Sequence, residues 1–181
     1  MTTYAALLRG INVGGNKKVP MAELREVLGG LGYGDVRTYL NSGNAVFTAA
    51  GEDTAKLTEE VEKALAGHFG FTVDCLVIDG PYLRRVVEEC PFPADELEGK
   101  QLHVTFMSEE PSADAFGAVD AGAFAPEDFR LGEKAVYLYA PEGLGKSKLG
   151  VELARPRLVK GMRATSRNWN TVKALLKLTE G

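Results

Sequence analysis

The chain has few of the residue types that usually build reactive centres: 181 residues include two cysteines, two histidines and one tryptophan. Cys75 and Cys90 make no C-x-x-C pair, so a disulfide framework is excluded and both read as buried thiols. With His68 and His103 they show no zinc-like spacing, and no metal site is expected. A Cys–His nucleophile would lack a third group to orient it. Neither a Ser-His-Asp order nor a carboxylate pair is visible, which leaves no recognisable hydrolytic machinery. No apolar run approaches the ~20 residues of a membrane span. Met1 to Gly10 lacks the basic and apolar regions of a leader peptide and reads as a first strand. The expectation is a cytoplasmic protein with no membrane partner and no cofactor.

What is present is ordinary globular composition, 45% hydrophobic and 25% charged, which excludes a disordered, collagen-like or coiled-coil chain. Thr3 to Leu8 reads as a strand. A glycine-rich basic loop, Gly10 to Lys18, follows, and Pro20 opens a helix whose face is Met21, Leu24, Val27, Leu28 and Leu31. Val36 to Leu40 and Ala45 to Thr48 are strand-like around the turn Asn41-Ser-Gly-Asn44. Leu57, Val61, Leu65 and Phe69 mark a second helix stopped by Gly70, and Val73 to Ile78 is a fourth strand. The order β-α-β-β-α-β is ferredoxin-like. A connecting helix, Tyr82 to Cys90, and a proline-rich acidic loop lead to a second round. This gives an α+β chain of two ferredoxin-like halves, with antiparallel sheets and helices packed on one face. The boundaries read as 1–80, a connection at 81–100, and 101–181. In the second half the order reads β-α-β-β-α, with a final helix from Thr165 or Ser166 in place of a clear last strand.

The net charge of −4 hides an asymmetry. From Gly143 onward there are nine Lys and Arg against two acids, +7, whereas residues 1–142 carry −11. A basic segment on an acidic body suits an anionic partner, or a complementary contact within a homodimer; a solvated helical face is the plain alternative.

Three segments carry candidate chemistry. In the first loop, Gly14 and Gly15 allow backbone N–H groups to approach an anion beside a helix start. Arg9, Lys17 and Lys18 add charge, and Asn12 and Asn16 add donors. The topology places this loop beside Asn41, Ser42 and Asn44. Near the third segment, Arg167, Asn168 and Asn170 surround a helix start, while Trp169 reads as core more readily than as a stacking platform. Between them, Ala140 to Ser147 resembles a phosphate-binding P-loop with Ala140 in place of its first glycine, and Lys146 and Ser147 in the reactive places. Its strand reads as half of a hairpin, however, and such enzymes need a parallel sheet. An RNA-recognition surface would use aromatics on central strands, with Tyr4, Phe47, Tyr137 and Tyr139 as candidates, but the accompanying basic pattern is missing.

Ala6-Leu-Leu-Arg-Gly-Ile-Asn-Val-Gly-Gly15, Val19-Pro-Met-Ala-Glu-Leu-Arg25, Ser42-Gly-Asn44 and Arg167-Asn-Trp-Asn-Thr171 together resemble a bacterial family known as domain of unknown function 1697. The resemblance implies an α+β protein of two similar ferredoxin-like halves and brings no assigned activity. The residues themselves favour a binding protein for a phosphate-bearing ligand, nucleic acid or nucleotide. A phosphoryl-transfer or nucleotide-processing enzyme using residues 145–147, and a structural or self-associating protein, are the alternatives.

Overall fold

Strand β1 (Thr2–Arg9) holds five consecutive buried residues, Tyr4 to Leu8, so it must be covered on both faces. It is central in a sheet completed by β2 (Gly34–Tyr39), β3 (Asn44–Ala49) and β4 (Asp74–Asp79). The order is β2-β3-β1-β4 with every neighbour antiparallel. The computed structural model describes residues 1–40, 43–51 and 53–180. Helices α1 (Met21–Gly30) and α2 (Thr54–Phe69) lie on the face carrying Tyr4, Ala6 and Leu8. Leu24 and Leu28 of α1, and Leu57, Val61 and Leu65 of α2, fill the core there with Phe47. Tyr33 stacks on Phe47 at 4.3 Å between ring centroids. Helix α2 starts at Asp53, whose side chain accepts from the Ala55 N–H, and ends at Gly70 in the left-handed region. The opposite sheet face is buried too, through Ala5, Leu7, Val46, Leu76 and Ile78. Helix α3 (Gly80–Glu88) follows β4 directly.

The second half repeats the order. Strands β5 (Leu102–Met107), β6 (Asp128–Gly132), β7 (Ala135–Tyr139) and β8 (Ala164–Asn168) form a sheet ordered β6-β7-β5-β8, again antiparallel throughout. Its helices are α4 (Ala113–Gly117), α5 (Lys148–Leu153) and α6 (Pro156–Val159), which bury Phe116, Leu149, Leu153 and Leu158 on Met107, Val136 and Leu138. Helix α7 (Trp169–Glu180) closes the chain. The two compact units are residues 1–84 with 175–181, and residues 85–174. The end of α7, from Leu175 to Glu180, groups with the first unit. The carbonyl of Leu178 accepts from Arg37 within it.

The repetition reaches individual registers. Ala6 stands opposite Ala45 and Val77, and Thr105 stands opposite Val136 and Ser166. Tyr4 faces Phe47 and Asp79; His103 faces Leu138 and Asn168. The join to the last helix is also shared: the Asp79 carboxylate accepts from the Tyr82 N–H at 2.7 Å, and Asn168 Oδ1 accepts from the Thr171 N–H at 3.0 Å. Both are side-chain caps three residues into a helix.

Two expectations are corrected here. A fourth strand, Ala164–Asn168, exists in the second half, and the cap of α7 is Asn168 rather than Thr165 or Ser166. The short polar run Ala-Thr-Ser-Arg-Asn carries no strand signature, and its pairing with β5 overrides local preference. The aromatics considered for RNA stacking are also placed elsewhere. Tyr4, Phe47 and Tyr137 are at most 2% exposed, so they are core. Among the described residues no helix is long and apolar enough to cross a membrane.

The free edge of β4 is closed by α2. The N–H groups of Cys75 and Val77 point away from β1, and Glu62 Oε2 and Thr58 Oγ1 accept from them at 2.9 and 3.0 Å. Thr58 and Glu62 are one helical turn apart, so one helix face covers both groups. Replacing Thr58 by Val keeps the shape but orphans a buried N–H. Urea unfolding of Thr58→Val should show a loss of about 1–3 kcal/mol.

Candidate functional site

The sequence-selected residues fall into two groups, one in each unit. In the first, the glycine-rich loop is a small hairpin rather than an open cradle. The Asn12 N–H donates to Lys17 O at 3.1 Å, and the Asn16 N–H donates to Val13 O at 3.0 Å. Gly14 and Gly15, at φ 60° and 78°, form its two-residue turn. Positive φ at both positions is what such a turn demands, and glycine meets it without strain. The Asn12 carboxamide grips Val19 on both sides: Nδ2 donates to its carbonyl at 3.0 Å, and Oδ1 accepts from its N–H at 2.8 Å. Lys17 Nζ donates to Thr72 O at 2.9 Å. Arg9 stands opposite Asp74 in the β1–β4 register.

Gly43, of the Asn-Ser-Gly-Asn turn, does lie beside this loop. Gly43 O accepts from the Leu8 N–H at 2.8 Å. A Cβ at Gly43 would come within 2.7 Å of Leu8 Cβ and 2.9 Å of Ile11 Cδ1, so only glycine allows the approach. Asn41 and Ser42 fall outside the described residues. Asn44 is fully buried and donates to Tyr39 O at 3.0 Å.

The side chains of Asn12, Lys17 and Asn44, chosen as ligand donors, are each hydrogen-bonded to backbone in the structure. Their polar groups meet backbone partners that would otherwise be unpaired. The outward groups that remain are the Gly14–Gly15 backbone, Asn16 and Lys18. A depression of about 420 Å³ beside them is lined by Asn12, Gly15, Lys18, Val19 and Pro20. Pro20 is the N-cap of α1 and makes no side-chain cap bond, so it accepts from none of the first-turn N–H groups through its side chain.

In the second unit, the Gly-Lys-Ser segment is not a P-loop. Strand β7 is antiparallel to both its neighbours, and Ser147 is the buried N-cap of the six-residue α5. Its Oγ accepts from the Gly150 N–H at 2.8 Å and donates to the Glu127 carboxylate. Lys146 is exposed. Arg167 curls along its own strand, donating to Thr165 Oγ1 at 2.7 Å and Ser166 O at 2.9 Å. Trp169 is 5% exposed and belongs to the interior. Asn168 is spent on the α7 cap, and the Asn170 side chain lies over Gly99, where a Cβ would meet it at 2.1 Å. The turn Gly99–Gln101 bridges the two motifs: Ala140 N–H donates to Gln101 O at 2.7 Å, and Gln101 Nε2 donates to Pro141 O at 3.2 Å.

The basic segment is partly neutralised. Glu152 accepts from Arg155 and Arg157, and these bonds, that to Arg155 first, hold its carboxyl below the usual range. Lys146, Lys148, Lys160 and Lys173 stay exposed. Among the described residues no cluster of His, Cys, Asp and Glu could hold a metal ion.

Sequence reasoning missed one polar group. On the helix-facing side of the β5–β8 pair, Thr105 Oγ1 and Ser166 Oγ are 2.6 Å apart. His103, 6% exposed, is hydrogen-bonded through Nε2 to Lys100 O at 2.9 Å. The signal was the alternation of His103 and Thr105 with apolar residues in the run Leu-His-Val-Thr-Phe-Met.

The family described as Protein of unknown function (DUF1697) matches residues 1–137. That range includes the glycine-rich loop and the Ser-Gly-Asn turn, and stops short of Arg167–Thr171. The conserved bacterial protein SP0830 from Streptococcus pneumoniae has a similar solved structure. The two are 27% identical with a TM-score of 0.77, over 100% of this chain and 99% of that one. No curated protein matches the chain.

Burial pushes the His103 imidazole below its ordinary value of 6.5, outweighing the hydrogen bond to Lys100. The neutral ring is the folded form, so its share of stability is complete above 6.5 and is lost as pH falls through the lower folded value. Denaturant midpoints taken from neutral pH down to about 5 should fall more for the parent than for His103→Gln. Equal slopes would mean that the ring titrates freely.

Proposed function

This chain belongs to the family described as Protein of unknown function (DUF1697), and we propose that it binds a phosphate-bearing ligand, a nucleic acid or a nucleotide. The observation carrying this reading is the surface where Gly15 of the turn, Lys18 and Pro20, the N-cap of α1, line one depression. Backbone N–H groups, a cation and the positive end of a ten-residue helix there all favour an anion. Because Asn12 and Lys17 already brace the hairpin, the site is preorganised and little ordering entropy is spent on binding.

The second half offers a built-in contrast. Its corresponding connection, Ser108 to Ser112, carries Glu109 and Glu110 and no glycine. The Glu110 carboxylate there accepts from the Lys134 N–H at 3.0 Å. The reading therefore assigns phosphate binding to the first half's loop, with the exposed lysines of the basic segment adding long-range attraction.

The test is a titration of labelled oligonucleotides and nucleotides at low and moderate salt. Binding should be strongest at low salt, and Lys18→Ala should weaken it, with an oligonucleotide salt slope smaller by about one ion. Absence of binding at low salt, or an unchanged slope in Lys18→Ala, would contradict the proposal.

A further inference from the structure

We infer that Thr105 and Ser166 form the floor of a binding site for a vicinal diol, the pair of adjacent hydroxyls carried by a ribose or a related sugar. The two halves share a register. Thr105 and Ser166 occupy the places of Ala6 and Val77, which are 0% and 1% exposed beneath the sixteen-residue α2. In the second half the covering segment is two short helices, of six and four residues, and both hydroxyl residues are half-buried. A pair that is apolar and closed in one half is thus polar and half-buried in the other, beside the buried Met107, Val136 and Leu138.

The edge behind it differs in the same way. The Val77 N–H is taken by Thr58 of α2. Ser166 stands at the equivalent position, so its N–H faces the free edge of β8; Arg167 covers its carbonyl. The groups presented are neutral: a hydroxyl pair with one proton left to donate, a backbone N–H, and the Nδ2 donors of Asn168, whose Oδ1 is committed to the α7 cap. His103, held neutral by burial, adds no charge. The hydroxyl pair, the N–H and the carboxamide can each meet a neutral hydroxyl, and the Arg167 guanidinium at this edge is hydrogen-bonded to Thr165 Oγ1 and Ser166 O. The oxygens of a vicinal diol are spaced much like two hydrogen-bonded hydroxyls, so both can be met at once. The inference does not depend on the phosphate reading, since no residue is shared.

The experiment is an amide NMR titration of the full chain with methyl β-ribofuranoside and its 2-deoxy counterpart. The ribofuranoside should shift the Thr105, Ser166 and Asn168 signals with a millimolar dissociation constant, the range open to so small a ligand. The 2-deoxy compound, lacking one hydroxyl of the diol, should bind roughly tenfold more weakly. The double variant Thr105→Ala with Ser166→Val installs the pair that the first half already packs, and it should abolish the shifts. Ser166→Ala, a smaller change, gives the same readout if the double variant does not fold. Lys18→Ala should leave these shifts unchanged. No shifts, equal binding of the 2-deoxy sugar, or shifts that survive in the variants would each overturn the inference.

Discussion

Every four-stranded sheet has two outer strands whose unpaired N–H groups must find acceptors, and in this protein the way that demand is met decides where chemistry can occur. In the first half, Thr58 and Glu62 project from α2 and accept from Val77 and Cys75. The bond from Val77 is fully buried, so neither partner can be lost cheaply. That requirement explains the length of α2 and its burial against β1 and β4. It also makes the first sheet a rigid base from which the Asn12–Lys17 hairpin projects.

The second half keeps the frame and relaxes the closure. Its strand order, its registers and its capped strand-to-helix joint repeat those of the first half, down to the paired roles of Asp79 and Asn168. The connections differ, and within the strands Thr105 and Ser166 replace Ala6 and Val77. The first connection is a glycine hairpin in one half and a short acidic link in the other. The covering helix is long in one and broken at Pro156 in the other. At the β8 edge Arg167 donates to the Ser166 carbonyl, whereas the α2 side chains accept from edge N–H groups. A duplicated fold can diverge in this way because function sits on connections and edges while the central strands carry stability.

Element order was legible because hydrophobic periodicity dictates it: the two helical faces of the first half and the apolar central strands come straight from spacing. The neighbouring of the glycine loop and the Ser-Gly-Asn turn followed from topology alone, and Gly43 against Ile11 is its physical expression. Strand β8 was illegible because polar residues at a sheet edge look like a loop or a helix start until a partner strand is known. The same limit applied to Asn12, Lys17, Asn44 and Asn168. Each was chosen as an exposed donor for a ligand, yet each spends that donor or acceptor on backbone within the fold. A polar side chain beside a glycine-rich turn is as useful for bracing the turn as for gripping an anion, and composition does not separate the two uses. Thr58 and Glu62 went unnoticed for the same reason: on a helix wheel they are merely polar.

The central contrast is that the edge N–H of Val77 is met by a helix side chain, while that of Ser166, at the equivalent register, faces a strand edge with no such helix among the described residues. Native-state hydrogen exchange at single amides tests it most directly. The account predicts strong protection at Val77 and fast exchange at Ser166, despite their equivalent registers. Comparable protection at the two amides would contradict it.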